Sequence, residues 1–378
     1  MDIILLGTAL AFFITYMSIP VIITVSERKK LFDEPDARKL HLTPVPSLGG
    51  LGIFAGLMMG VLLSIHFNHA PGFQYVIAAS LVIFFVGMKD DIIVLSPIKK
   101  LIGQFIAAFL LMYKGGFRIT SMHGFLGVQE LPELMSITIT LFTIIVIINS
   151  FNLIDGVDGL AASLGLLTTV VFGIYFFRAG ELPYAILSFV TAGSLTGFLI
   201  FNHSPARIFM GDTGSLLIGL VNAVLVIRFI STSGNSSSAL PLEASPAIGF
   251  SILMVPLFDT LRVFSLRILS RRSPFSPDRN HVHHLLLDLG LSHAAVTYIL
   301  VAVNLAFMGM AYMLKGMGTS LLLLLMLGIA ATVTLMLLNA LHKRRAIVDT
   351  RFPEGQPTID TQRLISFRRK KMVIPEDN

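Results

Sequence analysis

Two adjacent carboxylates, Asp90-Asp91, close an apolar run in the stretch Gly-Met-Lys-Asp-Asp. Beside hydrocarbon such a pair is costly unless a cation or a lysine neutralises it, and one member can keep a raised pKa. The pair therefore marks either a divalent-cation or proton-transfer site, or simple capping of the next helix. A longer cluster, Asn149-Ser-Phe-Asn-Leu-Ile-Asp-Gly-Val-Asp-Gly-Leu160, is more specific. Asn149, Asn152, Asp155 and Asp158 recur every third residue, which places them on one side of a helical or 3₁₀ turn. Gly156 and Gly159 between them let backbone and ligand approach closely. Four polar groups directly behind an apolar run are expensive unless partnered. Phe209-Met-Gly-Asp-Thr-Gly-Ser215 opens another apolar run. A helix start there offers free N–H groups and a positive dipole end to an anion. Asp212 beside it reads as a hard-metal ligand, with plain helix capping as the alternative. Phe209 either stacks on a base or anchors at the membrane interface.

Cationic groups accompany these carboxylates. Arg279-Asn-His-Val-His-His284 places His281, His283 and His284 behind Arg271, Arg272 and Arg279. Zinc would ask for a different pattern, since the histidines lack i, i+4 spacing and the chain has no cysteine. A phosphate-binding cluster fits better. Residues 36–50 add Arg38, Lys39 and His41. Carboxylates for a divalent cation, basic groups for phosphates and a glycine-rich helix start together indicate phosphoryl transfer, which is catalysed mostly by positioning and charge neutralisation.

The elements that must position these groups are membrane helices. Of 378 residues, 54% are hydrophobic and only 13% charged, whereas a soluble domain carries about a quarter charged residues. Apolar runs long enough to cross about 30 Å of hydrocarbon recur along the chain. They lie near 2–25, 48–66, 75–89, 98–113, 134–150, 159–178, 183–200, 213–230, 246–270, 293–314 and 319–341, eleven expected spans of which the third and fourth are short. The first has its basic cluster behind it rather than ahead, so it reads as a retained span and not a signal peptide. With the amino terminus outside, 22 of the 28 lysines and arginines fall on cytosolic segments or the tail, as the positive-inside rule requires. Asp90, Asp91, Asp155, Asp158, Asp212, Asp278 and Asp288 fall on that same face. The net charge of +6 then follows from topology and anionic lipid, with no need for nucleic acid. Residues 115–133 read as a small external hairpin and 231–238 as a polar external linker. Asp259 and Arg262, inside a span at i, i+3, read as a mutually neutralising pair. The reading is an all-α polytopic membrane protein, with a catalytic domain over 1–341, a basic cytoplasmic tail over 342–378, and its active site at the cytosolic face. A site at the bilayer surface implies that one substrate is a lipid.

Taken in order, these motifs resemble the polyprenyl-phosphate N-acetylhexosamine-1-phosphate transferase family. The resemblance runs over residues 1 to about 341 through Arg38-Lys-Leu-His with Pro46 and Gly49-Gly50, Asp90-Asp91, Asn149 to Leu160, Phe209 to Ser215, and His281 to His284. It implies that a polyprenyl phosphate attacks the β-phosphate of a UDP-sugar, releasing UMP and leaving a polyprenyl diphospho-sugar. It further implies Mg²⁺, or Mn²⁺ in its place, with Asp212 as main ligand and Asp91 beside it. Asp90 or Asp91 becomes the base or the organiser of the lipid phosphate. Asn149, Asn152, Asp155 and Asp158 would hold nucleotide and diphosphate, and Phe209 and Asn202 the uracil end. Lys39, His41, Lys100, Arg279, His281, His283 and His284 would serve phosphates or sugar. The His-Val-His-His spelling is similar to the GlcNAc-1-phosphate branch, which implies UDP-GlcNAc and undecaprenyl phosphate as substrates. A bacterial inner (plasma) membrane location follows, and a homodimer is left open. The alternatives are the related phospho-MurNAc-pentapeptide translocase, or a transporter of an anionic solute.

Overall fold

The computed structural model describes residues 1–31, 45–233, 240–242, 244–271 and 280–351, with side chains to 344. Thirteen α-helices are formed among them. The chain runs α1 (Asp2–Lys29), α2 (Gly49–Ser64), α3 (Phe73–Ile92) and α4 (Pro97–Phe109), the last ending in a wide π turn, Leu110–Lys114. A hairpin of β1 (Ser121–Phe125) and β2 (Val128–Glu130) follows, then α5 (Glu133–Ile154), α6 (Leu160–Arg178), α7 (Leu182–Asn202) and α8 (Gly211–Ser233). The remainder is α9 (Ser245–Ile252), α10 (Met254–Leu269), α11 (Val282–Asp288), α12 (His293–Met313) and α13 (Thr319–Arg351).

Helix α8 is the axis. Every residue from Thr213 to Ile227 is buried, and α2, α3, α5, α6 and α9 pack around it. A helix apolar on all sides belongs at the centre of such a bundle. The peripheral helices are different. α1 turns Leu5, Leu6, Phe13 and Met17 outward, and α13 turns Leu321, Leu324, Leu335 and Met336 outward. Large aliphatic side chains facing out along whole helices are matched by lipid and not by water. Seven helices are long and apolar enough to cross a bilayer, and α9 with α10 makes an eighth. The protein is thus a helical multi-pass membrane protein. Of the other three expected spans, α2 has 16 residues and α4 has 13. α3 has 20 but closes on Lys89-Asp90-Asp91.

The expected hairpin over 115–133 is present. It is pinned to α13, where Ser320 Oγ accepts from the Leu126 N–H at 2.7 Å and Thr319 Oγ1 donates to the His123 carbonyl at 3.0 Å. The expected single span over 246–270 is not continuous: α9 and α10 meet at 88°. Pro256 has no N–H for the Ile252 carbonyl, which therefore lacks a helical donor. Asn304, fully buried on α12, fills the gap by donating Nδ2 to that carbonyl and accepting from the Val255 N–H, both at 2.9 Å. Broken helices survive at membrane depth where side chains satisfy the freed backbone groups. Asn304→Leu leaves a buried C=O and N–H bare, and is expected to destabilise the protein by about 2–5 kcal/mol. Reversible unfolding in mixed micelles measures this. An unchanged midpoint would mean that the break is held by something other than Asn304.

Helix α13 runs on to Arg351, so the boundary expected at 341 is not a helix end. Of the polar linker expected over 231–238, residues 231–233 belong to α8, and the rest of it and the tail beyond 351 lie outside the described residues.

Candidate active site

The site is built where α3, α4, α5 and α8 end together. Gly211 has φ +70, a backbone region that favours glycine. A Cβ there would stand 2.1 Å from the Ser47 carbonyl and 2.7 Å from both Asp91 carboxylate oxygens. The 46–50 segment lies alongside it. Phe209 N–H donates to Pro46 O at 2.7 Å, and Gly49 and Gly50 N–H donate to the Phe209 and Met210 carbonyls at 3.0 and 2.8 Å. Glycines in the Pro46–Gly50 and Phe209–Ser215 motifs thus serve backbone-to-backbone contact.

Asp91 caps α8. Its Oδ1 accepts from the Asp212 N–H at 2.7 Å, and its Oδ2 accepts from the Thr213 N–H at 3.0 Å and the Thr213 hydroxyl at 2.5 Å. A carboxylate at a helix N-terminus satisfies orphan donors and the dipole together. Both Asp91 oxygens are engaged in holding α8 to α3. Asp91, expected beside Asp212 as a second metal ligand, makes these bonds to the start of α8.

Asp90 and Asp212 face one another across Lys100. The ammonium lies 2.6 Å from Asp90 Oδ2 and 2.6 Å from Asp212 Oδ2. Asp90 Oδ1 also accepts from the Leu95 N–H at 2.6 Å, which turns the chain from α3 into α4. Asp212 Oδ1 accepts from Asn152 Nδ2 at 2.9 Å, and Asn152 also reaches Ser215 Oγ at 3.0 Å. Asn149 Nδ2 donates to Gln104 Oε1 at 2.7 Å. Gln104 is a site residue that sequence reasoning misses, yet it carries a signal: it follows Lys100 by four residues and so shares its helix face.

The expectation that Asn149, Asn152, Asp155 and Asp158 share one side holds for the first two only. α5 stops at Ile154, and Asp155 leaves helical geometry with φ −78° and ψ 51°. Half-buried just past the helix end, Asp155 is pushed up to about 8 by burial first, then by the charges of Asp212, Asp91 and Asp158. Asp158 points elsewhere. Its Oδ2 accepts from the Ala206 N–H at 3.1 Å, its Oδ1 lies 3.3 Å from His293 Nδ1, and its carbonyl accepts from Thr297 at 2.9 Å. Asn202 is buried and spends both amide ends on backbone, accepting from Gly159 N–H at 3.0 Å and donating to Ile208 O at 2.8 Å. These two residues brace the 155–159 turn against the 202–208 loop. The half-buried Phe209 lies at the α8 approach, where a ring could meet a ligand.

The histidine segment reaches the same turn. His283 packs on Gly156, where an added Cβ would lie 2.6 Å from its Nε2. Burial, and then neighbouring His284, lower the His283 pKa to about 3, so it is a neutral imidazole at physiological pH. The ring of His281 stacks on that of His283 at 5.6 Å, and that of His284 tilts against it at 4.3 Å. Asp259, expected to do no more than neutralise Arg262, does pair with it at 2.9 Å and also holds His281 Nδ1 at 2.8 Å. Lys39, His41 and Arg279, with Arg38 and Arg272, lie outside the described residues.

The profile of glycosyl transferase family 4 matches residues 73–230, the stretch from α3 through α8 that carries the carboxylate centre. The chain is 34% identical over 310 residues to a decaprenyl-phosphate N-acetylglucosaminephosphotransferase of Mycobacterium leprae, covering 76% of this chain and 77% of the relative. It belongs to glycosyl transferase family 4. Two further relatives are similar at slightly lower identity. A probable undecaprenyl-phosphate N-acetylglucosaminyl 1-phosphate transferase of Bacillus subtilis is 32% identical, with 81% of this chain and 84% of the relative covered. An undecaprenyl-phosphate alpha-N-acetylglucosaminyl 1-phosphate transferase of Escherichia coli K12 is 29% identical, with 75% and 77% covered. Within the matched stretch, Asp90 and Asp212 converge on the single ammonium of Lys100.

Proposed function

We propose that this chain transfers N-acetylglucosamine 1-phosphate from UDP-GlcNAc to undecaprenyl phosphate or a similar polyprenyl phosphate, releasing UMP. The observation that carries the reading is the meeting of Asp90 and Asp212, from different helices, on one ammonium at the start of α8. The relatives, all named as polyprenyl-phosphate N-acetylglucosamine-phosphate transferases, support these substrates over the pentapeptide and transporter alternatives. In chemical terms, an oxygen of the lipid phosphate forms a bond to the β-phosphorus as the bond to the UMP oxygen breaks.

Mg²⁺ is held by one or two carboxylates plus phosphate oxygens, and the residues present fit that pattern. Two carboxylate oxygens already converge on a point charge, and Asn152 orients one of the carboxylates. Asp212 and Asp90 would hold the ion, which supplies charge neutralisation to the diphosphate. Lys100, which lies between these two carboxylates, would turn its ammonium to the phosphates. Asp91 keeps α8 in position, and the carboxyl of Asp155 is pushed up to about 8 by burial and then by the charges of Asp212, Asp91 and Asp158. His283 packs on the neighbouring Gly156 turn, with His281 and His284 against it. Radiolabelled UDP-GlcNAc incubated with membranes containing the protein should yield label in the lipid extract and free UMP. Label from UDP-MurNAc-pentapeptide instead would move the protein to the other branch.

The cytosolic orientation rests on the distribution of lysine and arginine. It predicts that a cysteine introduced at Gln129 in the hairpin is labelled by an impermeant thiol reagent in intact cells, and that one at Lys343 is labelled only after permeabilisation. The native chain has no cysteine to confuse the result. The reverse pattern would invert the topology and put the site on the wrong side of the bilayer for a UDP-sugar.

A further inference from the structure

Asp259 lies on α10, the second half of the broken span, and its side chain is 2% exposed. A carboxylate this deep is strongly unfavourable unless fully partnered. Its partners are unusual in that two of three belong to the histidine segment. Oδ2 takes His281 Nδ1 at 2.8 Å, and Oδ1 takes the Val282 N–H at 3.0 Å together with Arg262 Nη2 at 2.9 Å. Arg262 adds a short bond to the Asn280 carbonyl. Asp259 and Arg262 therefore grip residues 280–282 from one helix face. Neutralising Arg262 would need only one of these bonds.

Two consequences follow. α11 has seven residues, too few to be stable in isolation, and the Asp259 carboxylate caps its first N–H. The second concerns the imidazole. A carboxylate at Nδ1 fixes a proton there, so that Nε2 is the nitrogen left for other work. His281 in turn stacks on His283, which sits on Gly156 beside Asp155.

We propose that Asp259 is a positioning residue for His281: it sets the Nδ1-protonated form and holds the histidine segment against the Gly156 turn. The inference rests on the function proposed above only where turnover is measured. Asp259→Asn keeps the shape but offers an amide that can present N–H to Nδ1 and select the other tautomer, and kcat should fall between about 10² and 10⁴-fold. KM for UDP-GlcNAc should stay within about threefold, because uniform binding is not the interaction removed. In a His281→Ala background the same change should lower kcat by less than about threefold, since residues that act as a unit are not additive. Asp259→Glu should recover part of the loss.

Nitrogen-15 spectra of labelled histidine, with His281 assigned by its loss in His281→Gln, provide a readout independent of substrate. In the native protein Nδ1 should carry a proton, and this holds even if the proposed transfer reaction proves absent. A neutral Nε2–H form of His281 in the native protein would overturn the proposal without any Asp259 variant having to fold. So would an Asp259→Asn enzyme with native kcat, or a full additional loss in the His281→Ala background.

Discussion

Asp212→Asn is expected to lower transfer by on the order of 10³-fold while the protein still folds, since removal of one preorganised electrostatic partner costs two to three powers of ten in other enzymes. Asp212 offers Oδ2 to the cationic centre and Oδ1 to Asn152. An amide can still accept from Asn152, so shape and packing persist. What is lost is one of the two negative oxygens that face the cation, and the Mg²⁺ requirement should rise as the rate falls. Transfer measured across a Mg²⁺ series, with the thermal midpoint of the purified protein and Mn²⁺ binding by electron paramagnetic resonance, separates these effects. A near-native rate at both limiting and saturating Mg²⁺ would remove Asp212 from the metal site.

Gly211→Ala should be the most damaging small substitution in the centre. An L residue at φ +70 costs about 1–2 kcal/mol by itself. The added methyl would also stand 2.1 Å from the Ser47 carbonyl, which is backbone and cannot swing aside. Either the 46–50 segment or the start of α8 must move, and with it the Asp91 cap. Gly180→Ala is the matched control, with φ +77 and nothing within 4 Å of the added carbon. Gly180→Ala is expected to shift the folding equilibrium only by the conformational ~1–2 kcal/mol, and Gly211→Ala by several kcal/mol with loss of transfer. Equal effects at the two positions would show that close approach at Gly211 matters little.

Much of the site's inventory is legible in the residues alone. Asp90, Asp212, Asn152 and the histidine segment are all marked by residue type, because charged and amide groups at the ends of apolar runs have few bland explanations in a membrane. Their partners are less legible. Lys100 and Asp212 are 112 positions apart, and nothing in local spacing joins them. Asp91 and Asp90 are neighbours of the same type, yet one caps α8 and the other faces the cation centre. Which does which depends on how α3 is rotated against α8. Asn202 and Asp158 resemble ligand residues in sequence, and only the fold shows that both also hold backbone groups between the 155–159 turn and the 202–208 loop. A polar side chain near a site has the same appearance in sequence whether it meets a substrate or a backbone N–H.

The sequence by itself determined that the chain crosses a bilayer many times, roughly where each helix lies, and that carboxylates and cationic groups collect at one set of helix ends. These are properties of short segments, fixed by hydropathy over about 20 residues and by the cost of charge in hydrocarbon. The tertiary structure decided the break at Ile252–Met254, satisfied from α12 by Asn304, and the end of α5 that parts Asp158 from Asn152. It also decided that Asp259, deep in a span, reaches His281 in another segment. The first and the last of these are hydrogen bonds between residues of different segments, and only the packing of helices sets which donors and acceptors meet.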